Sequence, residues 1–320
     1  MSCSFVVSII NYRTGALTLQ CIRSVLEAAA GHEVHVVVVD NASGDGSAET
    51  IADWIAAQPA PLPVTLVKSP RNTGFSGGHN IGMRTRTADA YLILNSDALL
   101  RPGFFDRIAA ALAAHPEAGL FAPRIEHEDG TIQTSCFRFP SPLGELVGSA
   151  RKGPVTWLFK RHEVALGPHP DPAAIEWASF ACILLRGRMV DELGPMDEGY
   201  FLYYEDTEYC LRARRAGWGI VHVPDARAVH FRGGSGPVKA LVSARKRLPG
   251  YYYASRTRFF YQAHGWGGVI LANLMWYLGR GVAHGARLLG KPGSPLPERQ
   301  GRDIWINALR PLGPRLAPGE

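Results

Sequence analysis

Cysteine is sparse and its spacing is unpaired: Cys3, Cys21, Cys136, Cys182 and Cys210 are the only five in 320 residues, and no two of them form a Cys-x-x-Cys. An odd count without paired spacing excludes a disulfide framework and a zinc ribbon, and points to a reducing compartment. Long apolar runs are also lacking, whereas a bilayer span takes roughly 20 such residues. The longest stretch, 267 to 278, is expected at most to lie in an interface. The opening segment, Met1 to Tyr12, has neither a basic n-region nor a small-residue cleavage site and reads as a first buried strand. No G-x-x-x-x-G-K-[ST] occurs and no G-x-G-x-x-G follows that strand, which argues against a P-loop NTPase and a dinucleotide Rossmann enzyme.

What is present is a chain with a 46% hydrophobic and 19% charged composition, enough for a sizeable core in one large domain or two ordinary ones. The net charge of +6 is unevenly placed. Residues 236–320 hold 13 Lys/Arg against 3 Asp/Glu, a local +10, which leaves −4 for the first 235. Aromatic residues (Tyr251, Tyr252, Tyr253, Phe259, Phe260, Tyr261, Trp266, Trp276, Tyr277) are interleaved in this basic tail, which makes it a candidate contact for anionic lipid headgroups or nucleic acid. A solvated face of packed helices is the plainer alternative.

Along the chain, apolar runs at 5–10, 34–39, 64–67 and 91–94 alternate with helical patterns, so the expectation is an α/β fold with a mostly parallel central sheet and helices on both faces. Ligands of such sheets bind at the carboxyl ends of the strands. The polar clusters 11–14, 40–45, 71–80 and 95–97 all fall there and should converge on one cleft. A helix is expected from Pro102 to Ala114, a hairpin arm over 131–139, a mobile and irregular stretch over 140–172, and a buried strand over 175–185. Further expectations are a helix from Asp206 to Ala216, short strands at 220–223 and 228–231, and a helical tail.

Three groups of residues can carry chemistry. Asp97 follows an apolar strand, and a carboxylate at that lip can hold a hard divalent cation against a diphosphate, although strand-end Asp also caps helices. Glu205, Asp206 and Glu208 open a helix after a run of bulky aromatic residues. Acidic residues favour first helical turns, but a partly desolvated carboxylate there also gains the proton affinity of a general base. His230 precedes a glycine-rich turn, where an imidazole can meet a metal or a phosphate.

Taken in order, Val7 to Tyr12, Val38-Val39-Asp40-Asn41-Ala42-Ser43-Gly44-Asp45-Gly46-Ser47, Asn72-Thr73-Gly74-Phe75-Ser76-Gly77-Gly78-His79-Asn80, Leu94-Asn95-Ser96-Asp97, Phe201-Leu202-Tyr203-Tyr204-Glu205-Asp206 and His230 resemble the family 2 glycosyltransferases, in particular their bacterial rhamnosyltransferase-like branch. The resemblance covers roughly residues 5 to 235. It implies a GT-A (Rossmann-like) domain over 1–235 followed by a helical basic extension over 236–320, a nucleotide-diphospho-sugar donor, a divalent metal (Mg²⁺ or Mn²⁺) and inversion at the anomeric carbon.

By the same resemblance, Asn11, Tyr12, Asp40 and Asn41 would hold base and ribose, and Arg71, Asn72, Gly78 and Asn80 would lie near nucleotide and diphosphate. Asn95, Ser96 and Asp97 occupy the metal motif, with Asn95 where many relatives have an Asp. Asp97 and His230 would be the metal ligands. Asp206 matches the catalytic base, with Glu205 beside it, while Trp177 and Glu208 would serve the acceptor, a glycan or lipid-linked hydroxyl. The implied setting is cytoplasmic and peripheral on the inner face of the membrane, with no nucleic acid as partner. Two readings compete: a sugar-phosphate nucleotidyltransferase, against which the first loop is short and glycine-poor, and a non-catalytic sugar-binding module, against which Asp97, Asp206 and His230 stand together.

Overall fold

In the computed structural model, which describes residues 3–150, 153–231, 238–290 and 296–318, β1 (Ser4–Asn11) and β2 (Glu33–Asp40) run parallel and in register, so that Asn11 sits beside Asp40. Their valines and Ile9 are buried on both faces, as strands covered by helices on two sides require. β3 (Val64–Lys68) extends β2, and β4 (Ala90–Asn95) runs parallel along the other flank of β1. Helices α1 (Gly15–Ala28), α2 (Ser47–Ala56) and α3 (Gly74–Thr85) make the crossovers.

After β4 the pattern changes. β5 (Ala98–Leu100), α4 (Phe104–Ala114) and β6 (Ala118–Glu126) lead to a two-stranded ribbon of β7 (Cys136–Phe137) and β8 (Trp177–Ala178), with α5 (Pro142–Ala150) and α6 (Pro154–Leu158) between them. β9 (Cys182–Arg186) then inserts antiparallel between β4 and β6. α7 (Gly187–Leu193) and α8 (Glu205–Arg215) precede β10 (Gly219–His230), which is parallel to β6 and antiparallel to β5. The sheet order is β3-β2-β1-β4-β9-β6-β10-β5, mostly parallel. The chain continues through α9 (Val238–Ser243), α10 (Gly250–Leu288) and α11 (Gln300–Asp303).

Alternate side chains of each strand feed separate cores. Val7, Ile9, Val36, Val38, Leu92 and Leu94 pack with Ile22 of α1, Ile51 of α2 and Phe105 and Ile108 of α4. Val6, Val37, Val39, Tyr91 and Ile93 pack with Met83 of α3, Met189 of α7 and Tyr209 and Cys210 of α8. All five cysteines are free.

Several local expectations are corrected. The polar cluster over 71–80, expected at a strand end, is helix from Gly74 onward, because the loop that precedes it is closed by Asn41, whose Oδ1 accepts from both the backbone N–H and the hydroxyl of Thr73 (2.9 Å each). The stretch over 140–172, expected to be irregular, holds α5 and α6. α5 stays helical through tertiary contact with α10, joined by the Glu145–Arg256 pair (Oε2 to Nη2, 3.1 Å). The strand over 175–185 is two strands broken at 179–181, and the two short strands over 220–231 are a single β10 with a register shift between Val223 and Arg227. The tail aromatics Tyr251, Tyr253, Phe259, Phe260 and Trp276 are buried and do not face outward. The boundary expected at 235/236 and the glycine-rich turn after His230 lie outside the described residues.

Candidate active site

Register alone brings the first polar residues together. Asn11 pairs with Asp40 across β1 and β2, and Ile10 pairs with Asn95 across β1 and β4, so the ends of three strands are level. Asn11 is fully buried and fully engaged. Its Nδ2 donates to Asp40 Oδ1 (2.7 Å), Ser47 Oγ (2.7 Å) and Ser43 Oγ (3.1 Å), and its Oδ1 accepts from the Thr14 backbone and the Thr18 hydroxyl (3.2 Å each). Asn41 donates to Asn72 Oδ1 and Gly74 O. Asn80 clamps α3 to the loop before α8, donating to Met196 O and accepting from Met196 N (2.9 Å each). Gly78 permits close packing, since a Cβ there would stand 2.6 Å from Ile10 Cδ1. Arg71 is exposed, and the Arg13 guanidinium lies 5.3 Å from the centroid of the half-exposed Tyr12 ring.

At the end of β4, Ser96 bonds Thr14 (2.9 Å between hydroxyl oxygens). Asp97 Oδ1 lies 3.2 Å from His230 Nε2, which the end of β10 carries in from the far side of the sheet, and Asn95 Nδ2 lies 3.3 Å from the same nitrogen. Among the described residues no cluster of three or more His, Cys, Asp or Glu side chains could enclose a metal. A hard carboxylate beside an imidazole nevertheless suits Mg²⁺ or Mn²⁺ when substrate phosphates and water supply the other ligands, so the residues present fit a divalent ion bound together with a diphosphate.

The acidic end of the site is set by an unusual turn. Tyr203 and Tyr204 have φ of 73° and 69°, a left-handed conformation costly for bulky residues, and they deliver Glu205 and Asp206 as the first residues of α8. A helix N-terminus favours carboxylates, yet here burial outweighs it. Glu205 is driven well above the usual carboxylate range, first by burial and then by the neighbouring Asp206 charge, and its Oε2 is buried without a hydrogen-bond partner. Burial pushes Asp206 up to about 6, moderated by the backbone N–H (2.8 Å) and hydroxyl (3.2 Å) of Thr207. Glu208 turns away from this pair to accept from Arg212 Nε (2.9 Å), and burial raises it despite that cation. Trp177 stacks on Phe137 at 4.3 Å and donates to Arg138 O (2.9 Å), leaving part of its surface open.

A cleft of about 970 Å³ unites the two ends. Of the residues predicted from sequence, Tyr12, Asn41, Asn72, Asn95, Ser96, Trp177, Glu205, Asp206 and His230 line it. Asn11, Asp40, Arg71, Gly78, Asn80, Asp97 and Glu208 do not, and most of them instead hold the lining residues in place. The structure adds residues the sequence reading missed. Gly74 has φ +71°, and a Cβ there would lie 2.3 Å from Phe201 O, while the Phe75 N–H donates to that same oxygen (2.8 Å), so the loop before α3 rests directly on the loop before α8. Its signal was a glycine opening a helix. His79 lines the wall as a neutral ring, held down to about 3 by burial and bonded to Ser8 Oγ (2.9 Å). Tyr251 and Tyr252 of α10 and Glu145 of α5 form the far wall, which no local pattern announces. The letters Gly74-Phe75-Ser76-Gly77-Gly78 spell a hydrolase nucleophile elbow, but Ser76 is 0% exposed within α3, so its hydroxyl cannot attack a bound substrate.

Comparison with known proteins agrees with this geometry. The description "Glycosyl transferase family 2" matches residues 4–152. The N-acetylglucosaminyl-diphospho-decaprenol L-rhamnosyltransferase of Mycobacterium tuberculosis is 29% identical over 222 residues, 65% of this chain and 69% of its own length. The dTDP-rhamnosyl transferase RfbF of Shigella flexneri is 24% identical, over 62% of this chain and 60% of its own. Among solved structures, the mannosyltransferase PcManGT of Pyrobaculum calidifontis in complex with GDP-Man and Mn²⁺ superposes with a TM-score of 0.56 at 16% identity, covering 91% of this chain and 77% of that one. TarS of S. aureus gives 0.54 at 14% identity over 97% and 80%. The level strand ends, the cleft they open into and these likenesses agree: residues 4–152 carry a family 2 glycosyltransferase domain, the fold is GT-A, and the chain is rhamnosyltransferase-like in sequence.

Proposed function

We propose that this glycosyltransferase moves a sugar with inversion from a nucleotide-diphospho-sugar, dTDP-rhamnose or a UDP-hexose, to a hydroxyl of a glycan or lipid-linked acceptor in cell-surface polysaccharide synthesis, working at the inner face of the cytoplasmic membrane. One observation carries the reading: a carboxyl with proton affinity raised to about 6, Asp206, shares a cleft with His230, against which Asp97 is packed. The rhamnosyltransferase relatives favour dTDP-rhamnose as the first donor to try.

In this reading Tyr12, Asn41 and Asn72 meet the nucleotide from the cleft wall and Arg71 approaches it from the rim. Asn11, Asp40, Gly78 and Asn80 fix the loops that carry them. Asn95 and Ser96 flank the diphosphate. A divalent ion held by Asp97 and His230 would neutralise charge on the leaving diphosphate. Ionised Asp206 takes the proton of the acceptor hydroxyl as that oxygen bonds to C1. The C1–O bond to the diphosphate breaks on the opposite face, and the nucleoside diphosphate leaves with the electron pair. The proton remains on Asp206 until water removes it. Glu205, whose proton affinity burial and the neighbouring Asp206 charge raise well above the usual carboxylate range, stands beside it. Trp177 offers a ring face to the acceptor sugar, and Glu208 acts through Arg212 to hold α8.

The test begins with melting shifts for dTDP, UDP and GDP, each with and without Mn²⁺, since a ligand that binds only the folded state raises its stability. A metal-dependent shift with dTDP or UDP is expected. Transfer assays of the same donor with Asp206→Asn follow, and turnover at the wild-type rate in that variant would remove Asp206 from the mechanism.

A further inference from the structure

Beyond the break at Gly265 (φ 66°), α10 passes from Gly265 to Gly279 without a single charged residue. One face of this stretch is buried: Val269, Ala272, Asn273 and Trp276 pack into the protein. The opposite face is equally apolar and open. Trp266, Ile270, Leu271, Leu274, Tyr277 and Leu278 are between 43% and 53% exposed, and at 100° per residue they fall on one side of the helix. A helix that is apolar all round normally has both sides covered. The stripe from 266 to 278 is about 18 Å long, and no helix among the described residues is long and apolar enough to cross a membrane.

We infer that this face is a docking surface for the anionic headgroup layer of a lipid bilayer, with the helix lying in the plane of the interface. Two features select lipid over a second copy of the chain. The stripe carries Trp266 and Tyr277, and Trp305 joins it by donating to the Tyr277 hydroxyl (3.1 Å); Trp and Tyr rings suit the headgroup level. The surroundings are cationic. Exposed Arg302 and Arg310 flank Trp305, exposed Arg299 stands beside exposed Glu298, and nearby Asp303 is buried in an ion pair with Arg247 (2.7 Å). Two copies meeting through such a face would bring like charges together, whereas an anionic surface attracts each cation. The first half of α10 supplies Tyr251 and Tyr252 to the cleft wall, so docking by the second half fixes the cleft relative to the surface.

The inference deepens the membrane setting of the proposed function, but its test is independent of transfer. Full-length protein is spun with vesicles of phosphatidylcholine alone and of phosphatidylcholine with 30% phosphatidylglycerol, as wild type, as Leu274→Glu with Ile270→Glu, and as Trp157→Ser, an exposed aromatic on α6 that serves as a control. The expected result is binding to the anionic vesicles that falls roughly ten-fold or more in the double Glu variant and is unchanged in Trp157→Ser. Unchanged melting and unchanged dTDP-induced shift would show the double variant folded. The inference is overturned by failure of the wild type to bind anionic vesicles, by equal binding of the double variant, or by a wild-type dimer that the double variant dissolves, which would assign the face to a second copy. Vesicle binding without any nucleotide shift would instead count against the proposed donor and leave the docking face standing.

Discussion

The two ends of the cleft use polar groups in opposite ways. At the end built by β1, β2 and α3, Asn11, Asp40, Asn41 and Asn80 are buried and their hydrogen-bonding capacity is turned on one another and on neighbouring loops, so they define a shape. At the acidic end, Glu205 and Asp206 sit among aromatic rings with less compensation, and their proton affinities rise. Satisfied buried polar groups rigidify, and under-satisfied ones hold reactivity at a cost in stability. One end is therefore built as a mould and the other is suited to the proposed proton transfer, and substitutions at the two ends should fail differently.

The largest effect is expected at the acidic end. Asp206→Asn should lower kcat by about 10²–10⁴ while leaving the nucleotide-induced melting shift in place. It should also stabilise the fold. The folded carboxyl binds its proton more tightly than the unfolded one, so its contribution to stability is present below the ordinary value of 3.8 and is lost as pH rises through about 6. Above pH 6 the variant should gain on the order of 1–2 kcal/mol by denaturant titration. A variant that loses both activity and stability would erase the contrast between the two ends.

Asn11→Ala should cost about 3 kcal/mol, because it strands Asp40 and several hydroxyls, and should abolish the nucleotide shift through the distorted loops. Gly74→Ala should cost about 2 kcal/mol or more, since both φ and the Phe201 carbonyl oppose a Cβ, and should raise the donor KM and lower kcat together because the two loops touch there. In the pH profile of kcat, activity should fall about ten-fold per unit below a midpoint near 6, where the base takes up its proton. The smallest effect is expected for Glu205→Gln. A carboxyl that burial drives toward its protonated form is replaced by a neutral isostere, so kcat should change by only a few-fold and the profile should keep its midpoint.

Legibility in the sequence followed the range of the interactions. The strands of the first 95 residues, the level polar clusters at their ends and the acidic helix start were readable, because period-2 burial and strand-end position are local properties. The segment over 140–172 was not readable, since α5 depends on Arg256 more than a hundred residues away. The tail was read by composition as a membrane-facing aromatic run, yet Tyr251 and Tyr252 form the cleft wall and the uncharged stretch after Gly265 faces outward. Composition records that aromatics and cations are present, and packing decides which of them meet water.

Local pattern alone set the alternation of strands and helices over the first 95 residues, the convergence of 11–14, 40–45, 71–80 and 95–97 on one sheet edge, and the residue types on which the proposed metal and proton chemistry rests. Tertiary structure decided which of those residues face the cleft and which hold others in place, the meeting of His230 with Asp97 across 133 residues of chain, and the proton affinity of Asp206. The physical reason is that an amide such as Asn11 reads the same whether its hydrogen bonds go to a ligand or to Asp40, and a carboxylate's pKa is set by the solvent that neighbouring elements exclude.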